Sequence, residues 1–187
     1  MRIESKIKRE FKKSKNIFIV AHKNLDLDAL GACIGVTAIA SNFKKSSYII
    51  IDDKKHEPAV GKVLKEITKT INIIPSTEIS KYLYNKSILV IVDTNKQELL
   101  QNSKILENFN KVIILDHHQE TSQTIKESIR VINENASSAC EIVANLIDKF
   151  NVRINPQLST FILAGIVLDT NNFVVKTSSK TYKAAYY

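Results

Sequence analysis

Short apolar runs alternate along the chain with longer segments of helical periodicity. Five of these runs are mostly apolar and rich in β-branched residues, which is typical of buried parallel strands. They cover residues 16–22, 47–52, 71–74, 87–93 and 111–116. Because strands that alternate with helices build βαβ units, this order predicts an α/β fold with an open, mainly parallel sheet flanked by helices.

The segments between the runs predict the helices. Ile3, Ile7 and Phe11 recur every four residues among charged positions, which indicates a helix with one narrow apolar stripe. Further helices are predicted over residues 28–40, 60–69, 97–109, 137–150 and 156–168, and from Ser179 onwards. The segment 156–168 is apolar on nearly all sides, so we expect it to be buried. Residues 173–175 are expected to form a short extended piece.

Length and composition restrict the class of protein. The chain has 187 residues, of which 44% are hydrophobic and 25% charged, as in ordinary globular domains and unlike disordered chains. No apolar run approaches the roughly 18 residues of a membrane-spanning helix, and the charged N-terminus does not resemble a signal peptide. Cys33 and Cys140 lie in apolar surroundings, so we expect core residues in a reducing compartment.

The net charge of +8 is concentrated at one end of the chain. Residues 1–15 hold seven basic and two acidic residues, and thus +5 of the total. Lysine outnumbers arginine by 23 to 4, whereas proteins that read duplex DNA favour arginine. A solvated basic helix is therefore the favoured interpretation, and no duplex nucleic acid partner is expected. A basic nucleic-acid-binding scaffold is the contrasting hypothesis.

Acidic residues and histidines follow the predicted strands where the strands end. Three of the four histidines in the chain occupy such positions. The residues concerned are His22, Asp26, Asp28, Asp93, Asp116, His117 and His118, and Asp169 follows the apolar helix. In an open α/β sheet, ligands bind outside the carboxyl ends of the strands, so these side chains are expected to meet in one site.

The chemistry of this set favours a divalent metal. One strand-end aspartate is typically a cap or turn residue, and one histidine is typically hydrogen-bonded, but several at one sheet edge are harder to explain in that way. Clustered carboxylates repel one another unless a cation lies among them. Carboxylates and imidazoles suit Mn²⁺ or Mg²⁺ better than zinc. The four glycines form neither a Walker loop nor a dinucleotide fingerprint, so metals would have to neutralise a phosphate substrate.

Four motifs resemble those of the DHH phosphoesterase family. They are His-Lys-Asn-Leu-Asp-Leu-Asp-Ala at 22–29, Val-Asp-Thr at 92–94, Asp-His-His at 116–118 and Ala-Gly-Ile-Val-Leu-Asp-Thr at 164–170. They occur in the order found in the family, and the resemblance runs from residue 16 to residue 187. It implies a Rossmann-like DHH domain over residues 16–187, preceded by the basic N-terminal helix at residues 1–15.

Three further features are similar to the cyclic-di-AMP phosphodiesterase branch of the family. They are Lys23 beside the first histidine, the serine-rich segment 137–141 and the basic, hydroxyl-rich segment 176–181. Lys180 stands where that branch often has arginine. The glycine-rich, histidine-containing loop of the usual C-terminal domain has no counterpart, so we expect a catalytic fragment or a shortened relative. Full-length members are anchored in membranes with their catalytic domain in the cytoplasm, which implies a cytoplasmic location.

The resemblance implies a dinuclear metal site that activates a water molecule. Two divalent ions are expected, with Mn²⁺ favoured and Mg²⁺ or Co²⁺ as alternatives. Asp93 would bridge the two ions. The implied ligands are His22, Asp26 and Asp93 for one ion, and Asp28, Asp93, His117 and Asp169 for the other.

The family also suggests roles for residues beside the metals. Asp116 is expected to orient a ligand histidine, and His118 to contact the phosphate and stabilise its developing charge. With Asp93 and His117 they form the implied catalytic group. Weaker candidates for substrate contacts are Ser137, Ser138, Thr177 and Lys180. For the serines a helix cap is an equal alternative, and for the lysine a solvated side chain.

The function implied is a Mn²⁺-dependent phosphodiesterase that opens cyclic-di-AMP to linear pApA. An oligoribonuclease or pAp phosphatase of the same family is the first alternative, and a truncated domain that binds metal and nucleotide without turnover is the second. The expected partner is a small nucleotide, either a cyclic dinucleotide or a short oligonucleotide. The sequence leaves open the base specificity, the metal used in the cell and whether the chain forms a homodimer.

Overall fold

The computed structural model describes residues 2–54, 56–126 and 128–187 and confirms the predicted α/β class. One parallel sheet of six strands carries helices on both faces. The strands are β1 Asn16–Val20, β2 Ser46–Ile50, β3 Ile73–Ile74, β4 Ile88–Val92, β5 Val112–Asp116 and β6 Ile129–Ile132. The helices are α1 Ile3–Lys13, α2 Leu27–Asn42, α3 Pro58–Ile67, α4 Ile79–Tyr82, α5 Ala139–Lys149, α6 Pro156–Asp169 and α7 Ser179–Tyr186. Short 3₁₀ segments cover Ser76–Glu78, Gln97–Leu99 and Ser103–Asn108.

Both faces of the sheet are buried, as a parallel sheet requires. Successive strand residues point to opposite faces, so Ile17 and Val90 pack under the larger layer of α1, α2, α3, α5 and α6. Phe18 and Leu89 pack on the other face, beneath α4 and the 3₁₀ segments. The near-continuous apolar runs of the sequence follow from this double burial.

The basic N-terminal helix belongs to the same core. Ile7 and Phe11 are each only 1% exposed and lie in the larger apolar cluster. Burial of one such side chain contributes about 1.5–3 kcal/mol, so the narrow stripe is enough to fix α1 against the domain. The charged side chains of the helix face outwards. No helix in the described residues is long and apolar enough to cross a membrane.

Three local predictions are wrong, and strand β6 was not predicted. The helix predicted over 97–109 is two 3₁₀ segments, because the chain between them extends to place Leu100 in the core and Gln101 in a hydrogen-bonded position. Residues 173–175 form a turn after α6 rather than an extended piece. Strand β6 has no long apolar run because it is only half-buried. Helix α6 is partly exposed, with Leu168 46% accessible.

Candidate metal centre

The strand order places one crevice at the centre of the carboxyl edge. The order is β3-β2-β1-β4-β5-β6, so the chain winds outwards in both directions from β1 and β4. Ligands bind at such reversal points because the loops after the two central strands diverge there. Asp93 directly follows β4 in the left-handed backbone region, with φ of 56°. This region is costly for residues other than glycine and is found where the surrounding structure imposes it, often at functional sites.

Two clusters of side chains meet at Asp93. The first group consists of His22, Asp26 and Asp93, and the second group of Asp28, His117 and Asp169. Within each group, one candidate ligand atom per residue lies within 4.8 Å of the others. These are the residues that the family resemblance implies for two metals, brought together from β1, α2, β4, β5 and α6.

Asp93 connects the two groups through its two carboxylate oxygens. Its Oδ2 lies 3.2 Å from His22 Nε2, which in turn is 3.7 Å from Asp26 Oδ2. Its Oδ1 lies 3.2 Å from His117 Nε2, which is 3.4 Å from Asp169 Oδ2 and 3.9 Å from Asp28 Oδ2. A carboxylate in this position offers one oxygen to each group of candidate ligand atoms.

The donor set fits a pair of divalent cations. Asp93 is 3% exposed, and its Oδ1 is buried without a hydrogen-bond partner among the described residues. An unpaired buried carboxylate oxygen is costly, and a cation would remove that cost. Carboxylate and imidazole donors are those that Mn²⁺, Mg²⁺ and related ions accept. The geometry itself does not distinguish between these metals.

Asp28 is held by the N-terminus of α5. Its Oδ2 accepts a hydrogen bond from the backbone N–H of Ala139 at 2.7 Å, and its Oδ1 accepts one from Cys140 at 2.9 Å. Burial, together with the charges of Asp93 and Asp169, raises the pKa of Asp28 to about 7. The N-terminus of α5 therefore stabilises the ionised form of Asp28 against the repulsion from Asp93 and Asp169.

Protonated histidines stabilise the same centre when no cation is bound. Burial lowers the pKa of both His22 and His117, but the contacts with Asp93 and the charges of nearby carboxylates outweigh it and raise each pKa to about 9. The pKa of Asp93 is lowered despite its burial, because both histidines contact it. Asp93 and the two histidines thus stabilise one another's charged forms.

Asp116 contacts a different histidine from the one expected. Its Oδ1 accepts hydrogen bonds from His118, at 2.8 Å from Nδ1 and 3.2 Å from the backbone N–H, whereas His117 has no such contact among the described residues. Its Oδ2 accepts a hydrogen bond from Asn95 Nδ2 at 2.7 Å. The contact with Asp116 raises the pKa of His118. Asp116 therefore orients His118 rather than His117; the side chain of His118 is 56% accessible and forms a further candidate ligand group with Asp93 and His117.

The weaker substrate candidates lie away from the crevice. Ser137 and Ser138 are fully buried: Ser138 caps α5, and Ser137 donates a hydrogen bond to Glu141 at 2.7 Å. Thr177 and Lys180 lie just before and at the start of α7. In the part of the chain that the structure describes, none of the four lines the crevice. Burial leaves the serine hydroxyls without access to a substrate, which favours their structural interpretation.

The crevice has a volume of about 720 Å³ and is lined by predicted site residues together with Asn95 and Lys96, which sequence reasoning did not single out. Lys23 and Lys96 bring positive charge to a site otherwise rich in carboxylates. Asn95 is 1% exposed and links the loop after β4 to the loop after β5. Asn95 and Lys96 directly follow a recognised motif, and that position was the one available signal for them.

Comparison with known proteins agrees with this geometry. The DHH family, N-terminal domain, matches residues 16–166. The cyclic-di-AMP phosphodiesterase GdpP of Bacillus subtilis is 31% identical over 99% of this chain and 29% of its own length. The cyclic-di-AMP phosphodiesterase PdeA of Listeria monocytogenes is 30% identical over 93% of this chain and 28% of its own length. The chain therefore spans less than a third of these relatives.

A solved structure shares the fold at lower identity. An exopolyphosphatase-related protein from Bacteroides fragilis superposes with a TM-score of 0.79 at 19% identity, covering 98% of this chain and 55% of that one. Residues 16–166, which match the DHH family, contain the motifs after β1, β4 and β5. The side chains of those motifs converge at the strand ends, as the family resemblance implies. The chain belongs to the DHH family.

Proposed function

We propose that this chain is a metal-dependent phosphodiesterase that opens cyclic-di-AMP to linear pApA. The observation that carries the proposal is the position of Asp93 between two groups of ligand atoms, 3.2 Å from a histidine of each. The relatives described as cyclic-di-AMP phosphodiesterases support the substrate. We propose Mn²⁺ as the metal, with Mg²⁺ or Co²⁺ as alternatives.

The first and second groups would each hold one divalent cation, with Asp93 shared between them. A pair of cations at such a site supplies an activated water and neutralises phosphate charge. Two of the proposed ligands are held by helices: backbone N–H groups at the N-terminus of α5 bind Asp28, and Asp169 is the last residue of α6. We therefore propose that the catalytic domain extends over residues 16–187, past the matched region, since Asp169 lies beyond it.

His118 is the proposed phosphate contact. Its Nδ1 is engaged by Asp116, so Nε2 is the ring nitrogen available to a ligand in the crevice. The raised pKa favours the protonated ring, which can donate a hydrogen bond to a phosphate oxygen. Lys23 and Lys96 add positive charge at the crevice, where an anionic nucleotide would enter. We propose a cytoplasmic location because the substrate is a nucleotide and both cysteines are free and buried.

The test is hydrolysis by purified protein with a matched pair of variants. Cyclic-di-AMP, pAp and short oligonucleotides are incubated with Mn²⁺, Mg²⁺ or Co²⁺, and the products are separated by chromatography. We expect pApA from the wild type and from Asp148→Asn, whose carboxylate pairs with Lys183 on the surface. Asp93→Asn should form none. Cleavage of pAp or oligonucleotides with cyclic-di-AMP intact would support the oligoribonuclease alternative, and metal binding without any cleavage would support a domain without turnover.

A further inference from the structure

Gln101 makes a set of contacts that the site chemistry does not explain. It lies where a helix was predicted, between two 3₁₀ segments, and is 9% exposed. It carries no charge and belongs to neither ligand group. Its side chain nevertheless contacts the loops that follow β1 and β2.

The side-chain amide of Gln101 is fully used. Nε2 donates hydrogen bonds to the backbone carbonyl of His22 at 2.9 Å and to Asp53 Oδ2 at 3.0 Å. Oε1 accepts hydrogen bonds from the backbone N–H groups of Asp52 at 3.0 Å and Asp53 at 3.2 Å. One amide thus joins the loop after β1 to the loop after β2, on the segment that follows β4.

The loop after β1 is held from the same side at two further points. Asp53 Oδ2 accepts a hydrogen bond from the backbone N–H of Asn24 at 2.8 Å, and Asn24 has a left-handed φ of 56°. The backbone N–H of Lys23 donates to the carbonyl of Leu99 at 2.7 Å. This loop carries His22 at its start and leads to Asp26. Its path therefore sets the spacing of two of the three side chains in the first group.

We propose that Gln101 is a positioning residue for the first group, acting through the carbonyl of His22 and through Asp53. The inference rests on the proposed function, since it concerns how the chain shapes one of two cation sites. Only a side chain with two donors and an acceptor at this length satisfies all four contacts. Residues that orient metal ligands typically change metal affinity 10- to 100-fold when they are replaced. The second group is held separately, by the N-terminus of α5, so the effect should be confined to one site.

The experiment is a Mn²⁺ titration of the whole chain by calorimetry, with Gln101→Glu as the test variant. Glutamate keeps the size but loses both donors and faces Asp53 with a second carboxylate. We expect the binding event of the first group to weaken about 10- to 100-fold and the other event to stay unchanged. Asp26→Asn identifies the event of the first group, and Asp169→Asn identifies that of the second.

Three control variants separate positioning from general stability. Asn102→Ala removes the adjacent side chain, which accepts a hydrogen bond from Lys104 and donates one to Ser76. This side chain makes no hydrogen bond to the loop after β1 in the described residues. The substitution should lower the Tm measured in EDTA without changing either binding event. Asp53→Asn keeps an acceptor oxygen for Asn24 and Gln101, so the first group should retain nearly wild-type affinity for Mn²⁺. In Asp53→Ala, which has no such oxygen, that affinity should fall.

Each outcome decides the inference. Selective loss of the first event in Gln101→Glu supports it. Unchanged affinity, or equal weakening of both events, contradicts it while the proposed function stands. If the wild-type protein takes up none of Mn²⁺, Mg²⁺ and Co²⁺, the proposed function fails and this inference fails with it.

Discussion

Cys140 donates its backbone N–H to the carboxylate of Asp28 at 2.9 Å, across 112 residues of sequence. Ala139 makes the same kind of contact with the other carboxylate oxygen. The first N–H groups of a helix have no partner within the helix, and the helix dipole favours an anion there. Asp28 is therefore fixed by the fold itself, so that a cation would meet a preformed oxygen ligand.

Gly165 should be necessary for this arrangement. A Cβ at this position would lie 2.5 Å from Cys140 Sγ and 2.8 Å from the Cα of Asp28, and the backbone of α2 cannot yield by that much. We expect Gly165→Ala to destabilise the protein by about 1–3 kcal/mol, the usual cost of overpacking, and to weaken Mn²⁺ binding at the second group. Urea unfolding in EDTA and Mn²⁺ titration measure the two effects.

Gly61 provides the matched control for that substitution. It also lies in a helix, but a Cβ there meets no atom of the described residues within 4 Å. Gly61→Ala should stabilise the protein by about 0.5–1 kcal/mol, because alanine loses less backbone entropy in a helix. Equal stability of the two variants would show that α2 and α6 do not need the close approach.

The central part of the site could be predicted from the sequence because strand ends are easy to locate. Apolar β-branched runs are read directly, and parallel strands bring their carboxyl ends to one edge. His22, Asp93 and His117 follow such runs, and the structure brings them together. The predicted fold class and the family were both confirmed. The ligand roles of these residues stay predictions.

The remaining features depend on contacts that leave no periodic signal. Asp116 and His118 pair through a loop conformation, so the partner of that carboxylate could not be read from the motif. The segment around Gln101 has helical periodicity, but long-range hydrogen bonds to the loops after β1 and β2 prevail over it. Ser137 donates to the buried carboxylate of Glu141 on α5 and does not line the crevice. Thr181 on α7 donates to the same carboxylate, so this arrangement depends on the packing of α5 against α7.

Asp93→Asn should remove at least one of two bound metal ions. Two cations close together repel strongly without a shared anion, and an amide supplies no charge. Asparagine fills the same space, so the protein should fold, with a lower Tm because His22 and His117 lose their common partner. Metal analysis and thermal melts with and without Mn²⁺ measure this, with Asp148→Asn as the surface control. A wild-type metal count and wild-type stabilisation by Mn²⁺ would rule out the dinuclear assignment.

Asp116→Asn should affect the reaction without affecting the metals. Asp116 belongs to neither ligand group, and its contact raises the pKa of His118. The substitution should therefore lower the pKa of His118, measured by NMR titration, and reduce kcat on the order of 10²-fold, as for loss of one hydrogen-bond donor to a developing charge. Metal content should equal that of the wild type. A variant that loses metal along with activity would instead place Asp116 among the ligands.

Binding of Mn²⁺ should release protons, in a number that falls as the pH rises. Without a cation, His22 and His117 have pKa values raised to about 9, so both are protonated at pH 7. A metal accepts only the neutral imidazole, and therefore displaces these protons. Apparent affinity should rise with pH through the neutral range and level off above pH 9, since the histidines are then already neutral. Calorimetry at pH 7 in PIPES and in Tris gives the proton count, because the two buffers differ in ionisation enthalpy. His22→Asn should release about one proton fewer than the wild type while Asp148→Asn releases the same number. Heats that do not depend on the buffer would mean that the histidines do not coordinate the metal.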